Sequence, residues 1–182
     1  MNSIHSLNYS NLLNFILFQV VWFVCVIYQN PGLYLAIPCI LVLLLTSSLA
    51  HGSLLADIKL IILLSLLALL IDGTLISTGV FILSSSAQPA YWLLVIWIGF
   101  SLTLNHSLKP IVKQPVIATI SGAIFGPLAY HAGMVLGAIQ FGLPAYYIYP
   151  LLAIIWCLLM WLFSHLAKQN QSLVQKRNRK SK

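Results

Sequence analysis

Acid-base or metal chemistry in this chain has few groups to draw on: two carboxylates, Asp57 and Asp72, five histidines and three cysteines in 182 residues. Asp72 stands out because it interrupts a long run of Leu and Ile. An ionised carboxylate inside a membrane is costly, so such residues face the interior of a bundle, pair with a neighbour and mark a functional path. Counting from Lys59 at about 1.5 Å per helical residue puts Asp72 some 19 Å into the bilayer, near its middle. The other reading is a protonated Asp72 that hydrogen-bonds a neighbouring helix as structural glue. Gly73, Thr74, Ser77, Thr78 and Gly79 follow it as a small, polar stripe, and that face is expected to pack against protein. Tyr130 and His131 lie at a comparable depth on a later span, within about one helical turn. A contact from Asp72 to His131 or Tyr130 is therefore expected, against a plain hydrogen bond from His131 to a backbone carbonyl. Asp72, Thr78, Tyr130 and His131 form the candidate intramembrane polar site.

A second group, His51, Asp57, Asn105, His106 and His165, falls at one level near the inner face. Histidines with a carboxylate suit metal binding. No HxxH, HxxxH or HExxH spacing puts two ligands on one helix face, however, and no metal is assigned. Asp57 and Lys59, two apart, do not face each other on a helix and read as interfacial anchors. Cys25, Cys39 and Cys157 lie in apolar runs without CxxC spacing and read as small buried hydrophobes. Asn14 and Gln19 put amides into a lipid-length helix, where they should hydrogen-bond across helices. No GxSxG, Walker loop or dinucleotide fingerprint is present, so no cofactor is expected.

The elements that hold these residues follow from composition. Hydrophobic residues make up 60% of the chain and charged residues 6%, against about 25% charged in a soluble domain. So small a globule cannot cover its surface with two acids and nine cations. Six apolar runs are long enough to cross a bilayer, at about 17 to 25 residues each: 11–28, 33–50, 60–83, 90–108, 116–140 and 146–166. Breakers separate them, among them Pro31-Gly32, Pro89, Pro110, Pro115 and Pro144. Lipid-facing backbone must satisfy its own hydrogen bonds, and the connections are too short for a closed barrel, so the spans are helices. The fold class is all-α, an integral membrane six-helix bundle.

Charge orients the bundle. Lys59, Lys109, Lys113 and the cations from Lys168 onward fall in alternate loops, and the loops after spans one, three and five carry no charge. By the positive-inside rule both termini are cytoplasmic. One six-span domain over 1–166 is expected, followed by a basic, disordered tail over 167–182. Five of the nine cations stand in the last seven residues, from Lys176 to Lys182. Such a cluster is attracted to anionic headgroups, which makes membrane lipids the expected partner rather than nucleic acid. The start of the chain has no basic n-region, so the first run is expected to stay as a span.

Span five carries two small-residue faces, Ala118 with Gly122 and Gly126, and Ala129 with Gly133 and Gly137. Such spacing lets helix backbones approach closely. A kink is expected at Pro127, where the helical ladder loses a donor. Gly122, Gly126, Pro127, Gly133 and Gly137 are the expected packing positions.

Several of these features resemble one family. They are Phe18-Gln19 with Trp22, the Leu70-Ile71-Asp72-Gly73 segment followed by Gly79, Pro89 to Trp92 and Trp97-Ile98-Gly99-Phe100. The most specific is Gly122-Ala123-Ile124-Phe125-Gly126-Pro127-Leu128-Ala129-Tyr130 with Gly133 and Gly137-Ala138. Over residues 12–165 the chain resembles a bacterial family of small polytopic inner-membrane proteins known only as a domain of unknown function. The resemblance implies a bacterial inner-membrane location and an association with lipid-modifying enzymes, and it supplies no catalytic residue.

The expected function is a non-catalytic permease-like or accessory component with a polar interior around Asp72. The alternative is a membrane-embedded enzyme, or an enzyme's partner, acting on lipid or isoprenoid substrates, with Asp72, Tyr130 and His131 as acid-base groups. A third reading is a structural partner whose small-residue faces bind another membrane protein or a second copy. A chain this short leaves little room for a private pore, so transport would call for an oligomer.

Overall fold

The structure is a computed structural model that describes residues 2–49, 53–83 and 89–180, with side chains described over 9–47, 53–83 and 89–167. It is 83% helical. Among the described residues seven helices follow in order: α1 (Asn2–Tyr28), α2 (Leu33–Leu43), α3 (Leu54–Ser77), α4 (Tyr91–Leu104), α5 (Lys109–Val112), α6 (Pro115–Val135) and α7 (Ala145–Lys180). A 3-10 turn, Asn30–Gly32, leads into α2, and a π-helical segment, Leu44–Leu49, extends it. Strands β1 (Phe81–Leu83) and β2 (Ile139–Phe141) pair antiparallel, with Phe81 opposite Phe141 and Leu83 opposite Ile139.

Among the described residues, five stretches are long and apolar enough to cross a membrane: Tyr9–Tyr28, Asn30–Ser47, Leu54–Ser77, Pro115–Val135 and Ala145–Ala167. This makes the chain a multi-pass membrane protein. The run 90–108, expected as the fourth span, is helical over the 14 residues of α4. At about 1.5 Å per residue these reach some 21 Å, short of a hydrocarbon core of about 30 Å.

The chain forms two compact units. The first is Met1–Leu108 with Gly133–Gly142, and the second is Lys109–Ala132 with Leu143–Lys182. In the first unit α1 packs on α2 and α4, and α3 packs on α4. Close approach is bought with glycine at two places. A Cβ on Gly99 of α4 would stand 3.1 Å from Phe18 and 3.2 Å from Ile40, and one on Gly32 would meet the Val24 carbonyl oxygen at 2.5 Å. Asn30 clips the α1–α2 turn to the start of α4: its Oδ1 accepts from the Trp92 backbone N–H at 3.3 Å, and its Nδ2 donates to the Pro89 carbonyl at 3.2 Å.

Two expected spans end early. Runs 60–83 and 116–140 stop being helical at Ser77 and Val135. The reason is glycine in the left-handed region, Gly79 at φ 75° and Gly137 at φ 81°, which ends a helix without the steric cost a Cβ would bring. At Gly137 the Schellman pair is complete. The Ala138 N–H donates to the Gly133 carbonyl at 2.9 Å, and the Gly137 N–H donates to that of Met134 at 3.0 Å. The chain leaves both helices extended, and the ribbon gives the freed backbone groups partners in each other. Phe81 and Phe141 stack across it with ring centroids 5.9 Å apart.

In the second unit α6 and α7 pack through Gly122 and Gly126. A Cβ on Gly122 would lie 2.5 Å from the Trp156 carbonyl oxygen, and one on Gly126 would fall inside the Trp156 indole. The outward sides of α3 and α6 are apolar and exposed, as at Leu70 and Phe125, each 66% accessible. Surfaces of that extent suit lipid, not water.

Candidate functional site

The densest polar site in the first unit is built where α3 begins and α4 ends. Helix α3 starts at Leu54, six residues before the expected start of its span, so Asp57 lies in the first helical turn. A carboxylate there is favoured by the unsatisfied N–H groups and the dipole of a helix N-terminus. Asp57 is fully buried and His106 nearly so. The expected interfacial anchor is therefore a core residue.

Side chains of Ser53, Asn105 and His106 converge on Asp57. Ser53 Oγ donates to Oδ2 at 2.8 Å, Asn105 Nδ2 donates to Oδ1 at 2.7 Å, and His106 Nε2 lies 2.9 Å from Oδ2. An ionised carboxylate only accepts, so the His106 proton on this bond belongs to Nε2. Ser53 Oγ also stands 3.5 Å from His106 Nε2. Serine, histidine and aspartate thus meet, but not in the relay order of a hydrolase. Such a triad needs the acid on one imidazole nitrogen and the serine on the other, whereas here both face Nε2.

The next residue of the same turn anchors a second network. Asn14 of α1, also fully buried, accepts at Oδ1 from Ser107 Oγ at 2.6 Å and from the Ser107 backbone N–H at 3.4 Å. Its Nδ2 donates to Ser47 Oγ at 2.9 Å and to the Leu102 carbonyl at 3.2 Å. Ser47 is delivered by the π-helical segment, whose Thr46 hydroxyl donates back to the Val42 carbonyl at 2.7 Å. Asn105, His106 and Ser107, three consecutive residues, therefore tie α3 and α1 to the end of α4.

Asp72 is buried farther along α3. Its Oδ2 accepts from Trp97 Nε1 of α4 at 2.7 Å, a short, charge-assisted length. On α6, His131 Nδ1 lies 2.7 Å from Tyr149 Oη of α7. Tyr130 packs edge-on against Trp156 of α7.

The hydroxyl stripe beyond Asp72 serves its own helix. Thr78 Oγ1 donates to the Thr74 carbonyl at 2.7 Å and Ser77 Oγ to the same carbonyl at 3.1 Å. Short side chains can satisfy themselves this way without a partner helix. Thr74 and Thr78 are exposed, and a Cβ on Gly73 would meet nothing within 4 Å.

The expected packing glycines divide as well. Gly122 and Gly126 take α7, and α6 continues through Pro127. A Cβ on Gly133 would make only ordinary contact with Ile139 at 3.9 Å, and Gly137 ends the helix.

Of the inner-face group, Asp57, Asn105 and His106 are brought together. His165 Nδ1 faces the Trp161 carbonyl of its own helix at 3.0 Å, and His51 lies outside the described residues. Among the described residues no three His, Cys, Asp or Glu side chains gather to hold a metal ion. Trp97 and Ser107 were not singled out as site residues from the sequence. Trp97 gave a signal nonetheless, because a buried indole N–H requires an acceptor.

Residues 11–162 match the family described as protein of unknown function DUF2878. The chain belongs to this family. The match takes in Asp57, Asp72, Trp97 and the 105–107 turn, and it stops short of the basic tail. No curated protein and no solved structure matches the chain.

Proposed function

We propose that this DUF2878 protein is a non-catalytic component of the bacterial inner membrane, permease-like or accessory, with six spans and both termini cytoplasmic. Its polar interior runs along α3. The observation that carries this reading is the burial of both acidic side chains of the chain on one helix, each engaged by donors from α4 or the turn after it. Membranes tolerate carboxylates where they face protein and serve a path or a switch. Membrane lipids are the proposed partners of the basic tail, with another membrane protein or a second copy beside them, and not nucleic acid.

The alternative reading has one observation in its favour. The Asp57 and His106 pair is a buried acid-base couple, which an enzyme acting on a lipid or isoprenoid could use. Lipid extracts from a deletion strain complemented with wild-type, Asp57→Asn or Asp72→Asn chains separate the two. The component reading expects an unchanged lipid profile and a phenotype that the Asn variants fail to rescue. A lipid species lost on deletion and on Asp57→Asn alike would overturn it in favour of the enzyme. A stable, expressed Asp57→Asn, Asp72→Asn double variant that rescues fully would show that the acids are structural only.

A further inference from the structure

Pro38 stands inside α2. Proline has no N–H to give the carbonyl one turn back, so the Tyr34 carbonyl loses its helical donor. Among the described residues no side chain donates to it instead. In a membrane such a freed carbonyl must find a donor elsewhere. Tyr34 and Pro38, the two ends of the missing bond, line a shallow groove of about 650 Å³ together with Asn30, Pro31, Leu33 and Ile37. The whole lining belongs to the first unit.

The groove is mostly apolar, and its few polar groups are of both kinds. Asn30 gives one Nδ2 hydrogen to the Pro89 carbonyl and takes the Trp92 N–H at Oδ1. Its second Nδ2 hydrogen has no partner among the described residues. The Tyr34 side chain is 91% exposed, which leaves an aromatic face open to a ligand. Charge is absent: residues 29–38, and residues 84–90 that Asn30 ties to this turn, contain no Asp, Glu, Lys or Arg. An anionic headgroup would find no cation here. A headgroup that carries its own ammonium beside its phosphate needs none. Carbonyl dipoles and aromatic faces both attract ammonium, and an amide hydrogen suits a phosphate oxygen.

We propose that this groove binds a zwitterionic phospholipid with a primary ammonium headgroup. The ammonium supplies the Tyr34 carbonyl with the hydrogen that Pro38 lacks and lies against the Tyr34 ring. The phosphate accepts from Asn30, and an acyl chain runs along Leu33 and Ile37. With both termini cytoplasmic, as proposed above, the lipid comes from the outer leaflet. The site uses neither acidic side chain nor the basic tail, so it goes beyond the function proposed above and stands or falls separately from it.

Native mass spectrometry of the full chain in detergent tests it, with phosphatidylethanolamine, phosphatidylcholine and phosphatidylglycerol of one acyl composition as probes. The choline lipid keeps the positive charge without an N–H, and the glycerol lipid has no ammonium. The wild-type chain should bind the ethanolamine lipid about tenfold tighter than either, the size of one hydrogen bond to a charged group. Pro38→Ala returns the helical N–H to the Tyr34 carbonyl and should abolish that preference. Equal binding of the three lipids by the wild type would mean that water alone answers the carbonyl, and would overturn the proposal. So would an undiminished preference in Pro38→Ala. Should that variant fail to fold, Tyr34→Leu, at an exposed position, should lower the preference about threefold; an unchanged preference there overturns the proposal as well.

Discussion

Asp57 is held by Ser53, Asn105 and His106 in a site closed to water, and its position makes single atoms matter. Removing one partner of a buried charge leaves the rest of the desolvation cost in place, about 3 to 5 kcal/mol. His106→Ala is therefore expected to destabilise the protein by about 3 kcal/mol in detergent unfolding. His106→Gln should lose less than half as much, and equal losses would show that the contact contributes nothing beyond packing. Ser164 of α7 provides the opposite case. Its hydroxyl is fully buried and has no hydrogen-bond partner among the described residues. Ser164→Ala should leave the stability unchanged or raise it by up to about 1 kcal/mol, read as a higher unfolding midpoint, since an unmade hydrogen bond is costly to bury. A clear fall in the midpoint would point to an acceptor or ligand at that hydroxyl.

Helices α3 and α4 are registered by polar pairs at two levels, Asp72 with Trp97 and Asp57 with Asn105 and His106. Apolar helices slide past one another at little cost, because Leu packs as well on one Leu as on the next. Directional bonds between buried groups remove that freedom. Trp97→Phe keeps most of the ring and deletes the indole donor. It should cost about 3 kcal/mol, and Asp72→Asn combined with Trp97→Phe should restore part of the loss; a strictly additive double variant would deny the coupling. On α6 the glycines are unequal. Gly126→Leu would place a side chain in the Trp156 indole and should abolish stable α6–α7 packing, while Gly133→Ala meets only an ordinary contact and should be tolerated. Yields of monodisperse protein from the two variants check this, and equal behaviour would contradict the assigned contact.

For the whole molecule, charge is distributed with unusual simplicity. Both acidic residues are buried, while Lys59, Lys109 and Lys113 are exposed, and five further cations close the chain. Reporter fusions or cysteine labelling at the two ends should place both on the side that carries these cations. Ends on opposite sides would remove α4 from the proposed spans, leaving the five stretches of membrane length.

Composition alone required a helical membrane protein, because a chain 60% hydrophobic with eleven charged residues can neither cover itself against water nor leave backbone unpaired in lipid. The positions of the polar residues were legible too. Asp72 and Asn14 drew notice because each is expensive to place in lipid, and Asp57, Asn105 and His106 because they fall at one level near the inner face. Where helices would stop was less so, since Gly79 and Gly137 look the same whether they pack a neighbour or take a left-handed turn. Partners were decided only by the tertiary structure. Asp72 could be answered by any donor at its depth, and which helix brings that donor depends on the packing of whole apolar faces, whose Leu and Ile specify no neighbour. Three-dimensional contact chose Trp97 for Asp72, and it turned Asp57 from a surface anchor into the centre of a buried site.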